Sequence, residues 1–231
     1  MQPLCRNLLY LFYPRLCSLC GNPLTEAEQE LCFHCFCELP RLDYHKRKTN
    51  PMFKLYAGIP QIHEVAAFLL YEKKGYTQSL IHSFKYKDCK KLATYLGRIA
   101  SSYLKADNLF GETDLLVPVP LHPQKEKKRG YNQAEWIAKG VAAVYGKPVI
   151  SDILYRKTAS ATQTKKSRYE RHLNVETIFA LHETKTFDHK HILLIDDVVT
   201  TGATSIACIE ALTVVPGIKI SILALSVVAI G

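Results

Sequence analysis

The chain has 231 residues, of which 48% are apolar, and a formal net charge of +9. This length accommodates one α/β core with a small appendage. The apolar runs at 8–12 and 220–230 are too short to cross a bilayer, so we expect neither a membrane span nor a secretory signal. We therefore expect a cytoplasmic protein whose eight cysteines are reduced rather than paired in disulfides.

The first predicted element is a metal site near the amino terminus. Cys17-x-x-Cys20 is followed, after eleven residues, by Cys32-x-x-Cys35. Two-residue separations let paired thiolates hold one ion from a knuckle turn, and four sulfurs complete a tetrahedron that leaves no room for a catalytic water. The spacing predicts a structural zinc site. The alternative is a group of four unpaired cysteines in an apolar core.

Two other residues near this motif could also act as ligands. Cys37 and His34 are alternative ligands. They are less favoured, because one residue separates Cys35 from Cys37, which is a shorter spacing than the two residues between the cysteines of each pair. Cys5, Cys89 and Cys208 are predicted to be ordinary apolar side chains.

The rest of the chain predicts an α/β domain. A polar segment at 46–51 marks the boundary, so residues 1–50 form the zinc module and linker and residues 51–231 form the second domain. Apolar runs predict strands at 65–71, 114–119, 191–196 and 219–228, and helical spacing predicts two helices between 76 and 104. We expect a mostly parallel sheet flanked by helices, with ligands beyond the carboxyl ends of the strands.

Positive charge is concentrated in the middle of the chain. Residues 121–174 contain twelve Lys or Arg and four acids, a net charge of +8. After the strand at 114–119, residues 124–133 are predicted to form a basic loop, and a helix follows that is capped by Asn132 and ended by Gly146. Residues 162–174 are predicted to form a mobile flap. This basic region favours polyphosphate or nucleic acid over a merely solvated surface, and its candidate nucleic-acid contacts are Lys125, Lys127, Lys128, Lys165 and Lys166.

The most informative stretch is 191–204, which predicts a buried strand, two adjacent carboxylates and a short loop that opens a helix at 203–212. Such a loop presents backbone N–H groups at the positive end of a helix, where Thr200, Thr201 and Thr204 can add hydroxyl donors to a phosphate. Gly202 lets the backbone approach the ligand closely. Asp196 and Asp197 can accept hydrogen bonds from vicinal ribose hydroxyls. The alternative is an acidic turn after a core strand.

This stretch resembles the 5-phosphoribosyl-1-pyrophosphate (PRPP) motif of type I phosphoribosyltransferases, and the chain contains no Walker sequence. Two positions depart from that motif. Ala203 stands where many members have a second glycine, which is a small obstruction. Thr200 stands where hypoxanthine-type salvage enzymes place an aspartate that handles the proton of the base, which argues against purine salvage.

Nearly the whole chain resembles the ComF family, whose members join a cysteine zinc module to a domain of the type I phosphoribosyltransferase fold. The resemblance implies that Arg129, Gly130, Tyr131, Asn132 and Gln133 lie near the pyrophosphate of PRPP, and that a hood over the reacting end contains Arg168, Arg171 and Asn174. Family members are associated with the uptake of single-stranded DNA during natural transformation, which implies a competence helicase or uptake machinery as partner. The resemblance rests on the cysteine quartet with 38–40, and on 84–87, 117–120, 129–133, 168–174 and the Asp196-Asp197 loop.

Two classes of function follow. As an enzyme, the protein would bind Mg²⁺-PRPP and transfer phosphoribose to a nucleobase or amine, with Asp196, Asp197 and Arg129 as the catalytic residues and pyrophosphate leaving. As a binding module, it would retain or sense PRPP at the same site, to which Ala203 of the 200–204 loop also belongs. The basic face would hold single-stranded DNA. Tyr131 and Tyr169 could then stack on bases, or could equally be core or lid residues. The acceptor, the oligomeric state and the competence of the source organism are not encoded in any motif of the chain.

Overall fold

The structure is a computed structural model that describes residues 13–47, 49–86, 89–157, 178–182 and 187–230. Across those ranges, the helices are all too short or too polar to cross a membrane. The predicted flap at 162–174 lies outside the described residues.

A parallel sheet forms the centre of the fold. Its strands are β1 (Ile62–Tyr71), β2 (Leu115–Pro118), β5 (His191–Val199) and β6 (Lys219–Val228), in the spatial order β1-β6-β5-β2. All three pairings between these strands are parallel. The predicted parallel sheet is therefore confirmed. Two short strands, β3 (Leu154–Arg156) and β4 (Phe179–Leu181), form a separate antiparallel pair.

Within the described residues there are six helices, of which the first precedes the sheet and the other five lie between its strands. The predicted helices in 76–104 and at 203–212 are confirmed, as is the helix capped by Asn132 and ended by Gly146 in the left-handed conformation. Two 3₁₀ turns, Tyr44–Lys46 and Pro51–Tyr56, precede β1. The helices are α1 (Phe33–Cys37), α2 (Tyr76–Tyr86), α3 (Lys90–Lys105), α4 (Pro123–Arg129), α5 (Gln133–Tyr145) and α6 (Ala203–Leu212).

The prediction of a basic loop at 124–133 is wrong, because most of this segment is helix α4. His122 caps the helix, since its Nδ1 accepts a hydrogen bond from the Gln124 N–H at 3.2 Å. Pro123 supplies the first helical position, and Gly130 ends the helix at a φ of 79°.

Apolar layers cover both faces of the sheet. Along β5, Ile192 and Leu194 belong to one layer, whereas Leu193 and Ile195 belong to the other. The second layer also contains Cys17, Cys32 and Cys35 of the cysteine module, together with side chains of α3 and α5. Residues 40–42 run beside β1, where Leu42 N–H donates to Phe68 O at 2.9 Å. The module therefore packs on the sheet domain, and the boundary at residue 50 stays a prediction.

Helices α3 and α5 cross at short range because each has a glycine against the backbone of the other. An added Cβ at Gly140 would lie 2.1 Å from Thr94 O, and one at Gly97 would lie 2.3 Å from Ile137 O. Neither helix can therefore accept a larger residue at its glycine without moving its backbone.

We expect Gly140→Ala to destabilise the protein by about 2 kcal/mol, because the added methyl group overlaps the backbone of α3 and this cost exceeds the gain in helix propensity. Urea unfolding followed by circular dichroism measures the change. The control is Gly111→Ala, because an added Cβ there meets no atom within 4 Å. Equal stability of the two variants would contradict the close crossing.

Candidate functional site

The loop at 200–204 forms a small cradle at the start of α6. A cavity of about 100 Å³ is lined by residues 198–205 together with Asp196. Gly202 is the N-cap of α6 with a φ of 80°, a backbone conformation that side chains rarely adopt. The backbone N–H groups of the first turn and the exposed Thr200, Thr201 and Thr204 surround a space suited to a phosphate.

Buried hydroxyls support this loop from below. The Ser205 hydroxyl donates to Gly202 O at 2.9 Å, so the Tyr56 hydroxyl, 2.9 Å from Ser205 Oγ, acts as the donor in that contact. Burial, together with the nearby Asp196 charge, raises the pKa of Tyr56 to about 12, so this hydroxyl keeps its proton at neutral pH. The 200–204 loop is thereby tied to the turn Pro51–Tyr56.

The two carboxylates are oriented by the backbone that follows them. Asp196 Oδ1 accepts from Asp197 N–H and Asp197 Oδ1 accepts from Val198 N–H, both at 2.8 Å. Asp196 is 9% exposed, while Asp197 is half-buried. Both side chains therefore have a fixed direction at the carboxyl end of β5, where parallel sheets place ligands.

Opposite these acids lies a set of basic and amide side chains. Acids and bases together line a cavity of about 180 Å³, which we call the acid cavity. Arg129 Nη1 donates to Gln133 Oε1 at 2.8 Å, which orients both side chains. Asn132 accepts from Ala134 N–H and donates to Val119 O, both at 3.0 Å, and so joins α5 to the end of β2. The polar residues lining the acid cavity are Asp196, Asp197, Thr204, Lys125, Arg129, Asn132, Gln133 and Arg156.

Several predicted site residues lie elsewhere. Tyr131 is 5% exposed and its hydroxyl donates to Phe84 O, so it is a core residue rather than a stacking platform. Gly130 is the left-handed C-cap of α4. Lys127 and Lys128 are exposed on α4 but do not line the acid cavity. Arg168, Arg171, Asn174, Tyr169, Lys165 and Lys166 lie outside the described residues.

The sequence analysis did not predict that Lys125 and Arg156 line the acid cavity. Lys125 was assigned to nucleic acid, but it lines this cavity together with Arg129. The spacing of four residues places both on one face of a helix, so the correct prediction of α4 would have revealed the pair. Arg156, at the end of β3, belongs to no motif of the chain and had no sequence signal.

A neighbouring cavity of about 410 Å³ adjoins the acid cavity. The two share Pro120, Leu121, Asn132 and Arg156. Its wall includes the rings of Tyr155 and His182, whose centroids lie 4.2 Å apart with an angle of 34° between the ring planes. A planar ring beside the acid cavity would therefore find an aromatic surface there.

The four predicted metal ligands come together in the structure. The sulfurs of Cys17, Cys20, Cys32 and Cys35 all lie within 4.8 Å of one another, and Cys20 Sγ is 3.7 Å from Cys32 Sγ. Sulfurs bound to one zinc ion at about 2.3 Å lie about 3.8 Å apart in a tetrahedron, so the cluster fits that ion. Cys37 is exposed and, like His34, does not belong to the cluster.

The pKa values of two of these thiols are shifted in opposite directions. Burial opposes ionisation of Cys17, but the backbone of Cys20, Cys32 and Leu19 outweighs it and lowers the pKa of the thiol to about 7. Burial and the neighbouring cysteines raise the pKa of Cys35. Four thiolates repel one another unless a cation lies between them, so a bound metal would stabilise the cluster.

Comparison with known proteins gives related chains in several bacteria. The chain is 28% identical to competence protein F of Haemophilus influenzae over 204 residues, which covers 87% of this chain and 85% of that protein. It is 28% identical over 204 residues to the DNA utilization protein YhgH of Escherichia coli K12, with the same coverage. It is 26% identical over 203 residues to competence protein ComFC of Bacillus subtilis, which covers 87% of this chain and 72% of that protein. No protein-family model matches the chain.

Solved structures give weaker matches. The glutamine PRPP amidotransferase of B. subtilis matches 56% of this chain and a quarter of its own, with 18% identity and a TM-score of 0.38. A purine phosphoribosyltransferase from Pyrococcus horikoshii matches 58% of this chain and 75% of its own, with 14% identity and a TM-score of 0.33.

Proposed function

We propose that this chain, which is 26–28% identical to competence protein F, YhgH and ComFC over 87% of its length, is a member of the ComF family. We propose that it binds PRPP in the acid cavity and acts on incoming single-stranded DNA during natural transformation. The observation that carries the PRPP assignment is one continuous arrangement. It places a phosphate cradle, two oriented carboxylates and a group of cations side by side at the end of β5.

Each part of PRPP has a matching surface. The 5-phosphate would lie in the 200–204 loop at the start of α6, and the ribose hydroxyls would donate to Asp196 and Asp197. The pyrophosphate would extend toward Lys125 and Arg129, on the opposite wall of the acid cavity. A magnesium ion bound with PRPP would neutralise part of the pyrophosphate charge. Arg168, Arg171 and Asn174 stay proposed hood residues on the strength of the family resemblance.

Transfer of phosphoribose is the second candidate, and the pair of rings in the wall of the neighbouring cavity favours it. Pyrophosphate would leave as positive charge develops at the anomeric carbon, and Arg129 would stabilise the leaving group while the carboxylates hold the ribose. An acceptor ring could lie against Tyr155 and His182. Pyrophosphate release, measured with and without nucleobases or single-stranded DNA, decides between retention and turnover of PRPP.

The cysteine cluster is proposed to hold one structural zinc ion, since its four sulfurs leave no open coordination position. The DNA strand is proposed to cross the exposed face of α4, next to the acid cavity, and a competence helicase or uptake machinery is the proposed partner.

We expect single-stranded DNA binding to weaken steeply with salt, because lysines contact its phosphates. Replacing Lys127 and Lys128 with alanine should flatten the slope of log K against log salt by about 1.4, since each phosphate contact contributes about −0.7. Fluorescence anisotropy of a labelled oligonucleotide measures the slope, and high PRPP should alter the affinity because two polyanions meet at one basic surface.

The control for that experiment is Lys73→Ala with Lys91→Ala, which removes the same charge from two exposed lysines far from α4 in sequence. An equal loss of slope in both variants would show that only net charge matters. If the wild-type protein binds no DNA at low salt but releases pyrophosphate in the presence of a small acceptor, the DNA-binding proposal is wrong and the protein acts as a phosphoribosyltransferase.

A further inference from the structure

A larger cavity, separate from the acid cavity, lies between the linker and β1. Its volume is about 990 Å³, and it is lined by residues of 45–54, by the first part of β1, and by Leu109 and Ile230. We call it the linker groove. No residue that lines it also lines the acid cavity or the neighbouring cavity.

The 3₁₀ turn Pro51–Tyr56 builds one wall of the groove. Asn50 caps this turn, since its Oδ1 accepts from Met52 N–H at 3.0 Å while its Nδ2 donates to Val65 O at 2.6 Å. The turn is thereby fixed to β1. It presents the ring of Phe53, which is 42% exposed, at the groove. An exposed aromatic ring held in place by a fixed turn is suited to stacking against a planar ligand.

The charges around this ring favour an anion. Arg47 and Lys54 line the groove and are exposed, together with Thr49. The acid among the lining residues is Glu64, whose carboxylate accepts from Phe110 N–H at 2.8 Å. Two cations, a hydroxyl and an aromatic ring therefore surround one space, and these are the groups that bind phosphate and base in single-stranded nucleic acids.

A buried polar atom gives an independent indication of a ligand. The His45 side chain is 2% exposed, and its Nε2 lies 2.9 Å from Asp107 Oδ2. Its Nδ1 is buried and has no hydrogen-bond partner among the described residues. Because buried nitrogens are nearly always paired, an unpaired one in a residue that lines a cavity indicates a missing polar partner.

We propose that the linker groove binds a nucleotide unit, with the base stacked on Phe53 and the phosphate between Arg47 and Lys54. A polar group of the bound unit reaches His45. The unit is either part of a single strand or a free mononucleotide. No residue of the linker groove lines the acid cavity, and the inference rests on the proposed function only where the single strand is its source.

The test compares wild type with Phe53→Ala and with Arg47→Ala/Lys54→Ala. The affinity for a labelled oligothymidylate of ten nucleotides is measured by fluorescence anisotropy, and the affinity for thymidine monophosphate is measured by calorimetry. We expect Phe53→Ala to weaken binding about tenfold, because one base–aromatic stack is lost. Lys73→Ala/Lys91→Ala serves as the charge-matched control and should bind as wild type does. Circular dichroism and PRPP calorimetry establish that the variants keep their fold and the acid cavity.

The outcomes separate this proposal from the proposed function. If the variants lose only oligothymidylate binding, the groove binds single-stranded nucleic acid. If they also lose thymidine monophosphate binding, the groove binds a free nucleotide. If Phe53→Ala and Arg47→Ala/Lys54→Ala both bind the two ligands with wild-type affinity, the proposal that the linker groove binds a nucleotide is wrong, regardless of the PRPP affinity. If the wild type does not bind PRPP but its nucleotide binding depends on Phe53, only the proposal that PRPP binds in the acid cavity is wrong.

Discussion

Replacing Asp196 and Asp197 with asparagine is expected to lower PRPP affinity at least about 100-fold, because two charge-assisted hydrogen bonds to the ribose are lost. The fold should persist, since an amide oxygen can still accept from the backbone N–H groups that orient the two carboxylates. Isothermal titration calorimetry measures the affinity, and circular dichroism reports the fold.

A matched control removes two acids away from the site. Asp188→Asn with Glu210→Gln changes the net charge equally at exposed positions, and PRPP affinity should stay at the wild-type value. If the Asp196/Asp197 variant binds PRPP as tightly as wild type and keeps its circular dichroism spectrum, these carboxylates do not hold the ribose.

Protein purified without chelators is expected to contain about one zinc ion per chain, and Cys17→Ser or Cys32→Ser should remove it. The amino-terminal module should then unfold, because it contains one helix of five residues and little core of its own. Elemental analysis measures the metal, and hydrogen exchange over 13–42 follows the unfolding.

Cys37→Ser is the control, because Cys37 is exposed and lies outside the cluster. It should keep the metal. A full zinc content in Cys17→Ser, or no zinc in the wild type, would show that the four sulfurs do not form a metal site.

Much of the fold could be predicted because its elements carry local signals. The strand and helix at 191–212 combine an apolar run with helical spacing, and both were found with nearly correct bounds. Helix α4 was missed because none of its residues is buried, so it has no apolar period. Its signals were instead Pro123 at the start and Gly130 at the end.

The site was only partly predictable because tertiary contacts select its members. Tyr131 stands in a motif with three lining residues, yet it is the side chain that turns into the core. Arg156 reaches the acid cavity through the pairing of β3 with β4, which the chain separates by more than twenty residues. Neither placement follows from periodicity, because both depend on non-local packing.

The turn Pro51–Tyr56 is shared between two regions described above. Phe53 and Lys54 line the linker groove, whereas the Tyr56 hydroxyl bonds Ser205 beneath the 200–204 loop and Leu55 lies 3.4 Å from the position that a Cβ on Gly202 would take. A ligand in either place therefore acts on the same six residues, and thermodynamic reciprocity fixes the relation between the two. The factor by which saturating PRPP changes nucleotide affinity must equal the factor by which saturating nucleotide changes PRPP affinity.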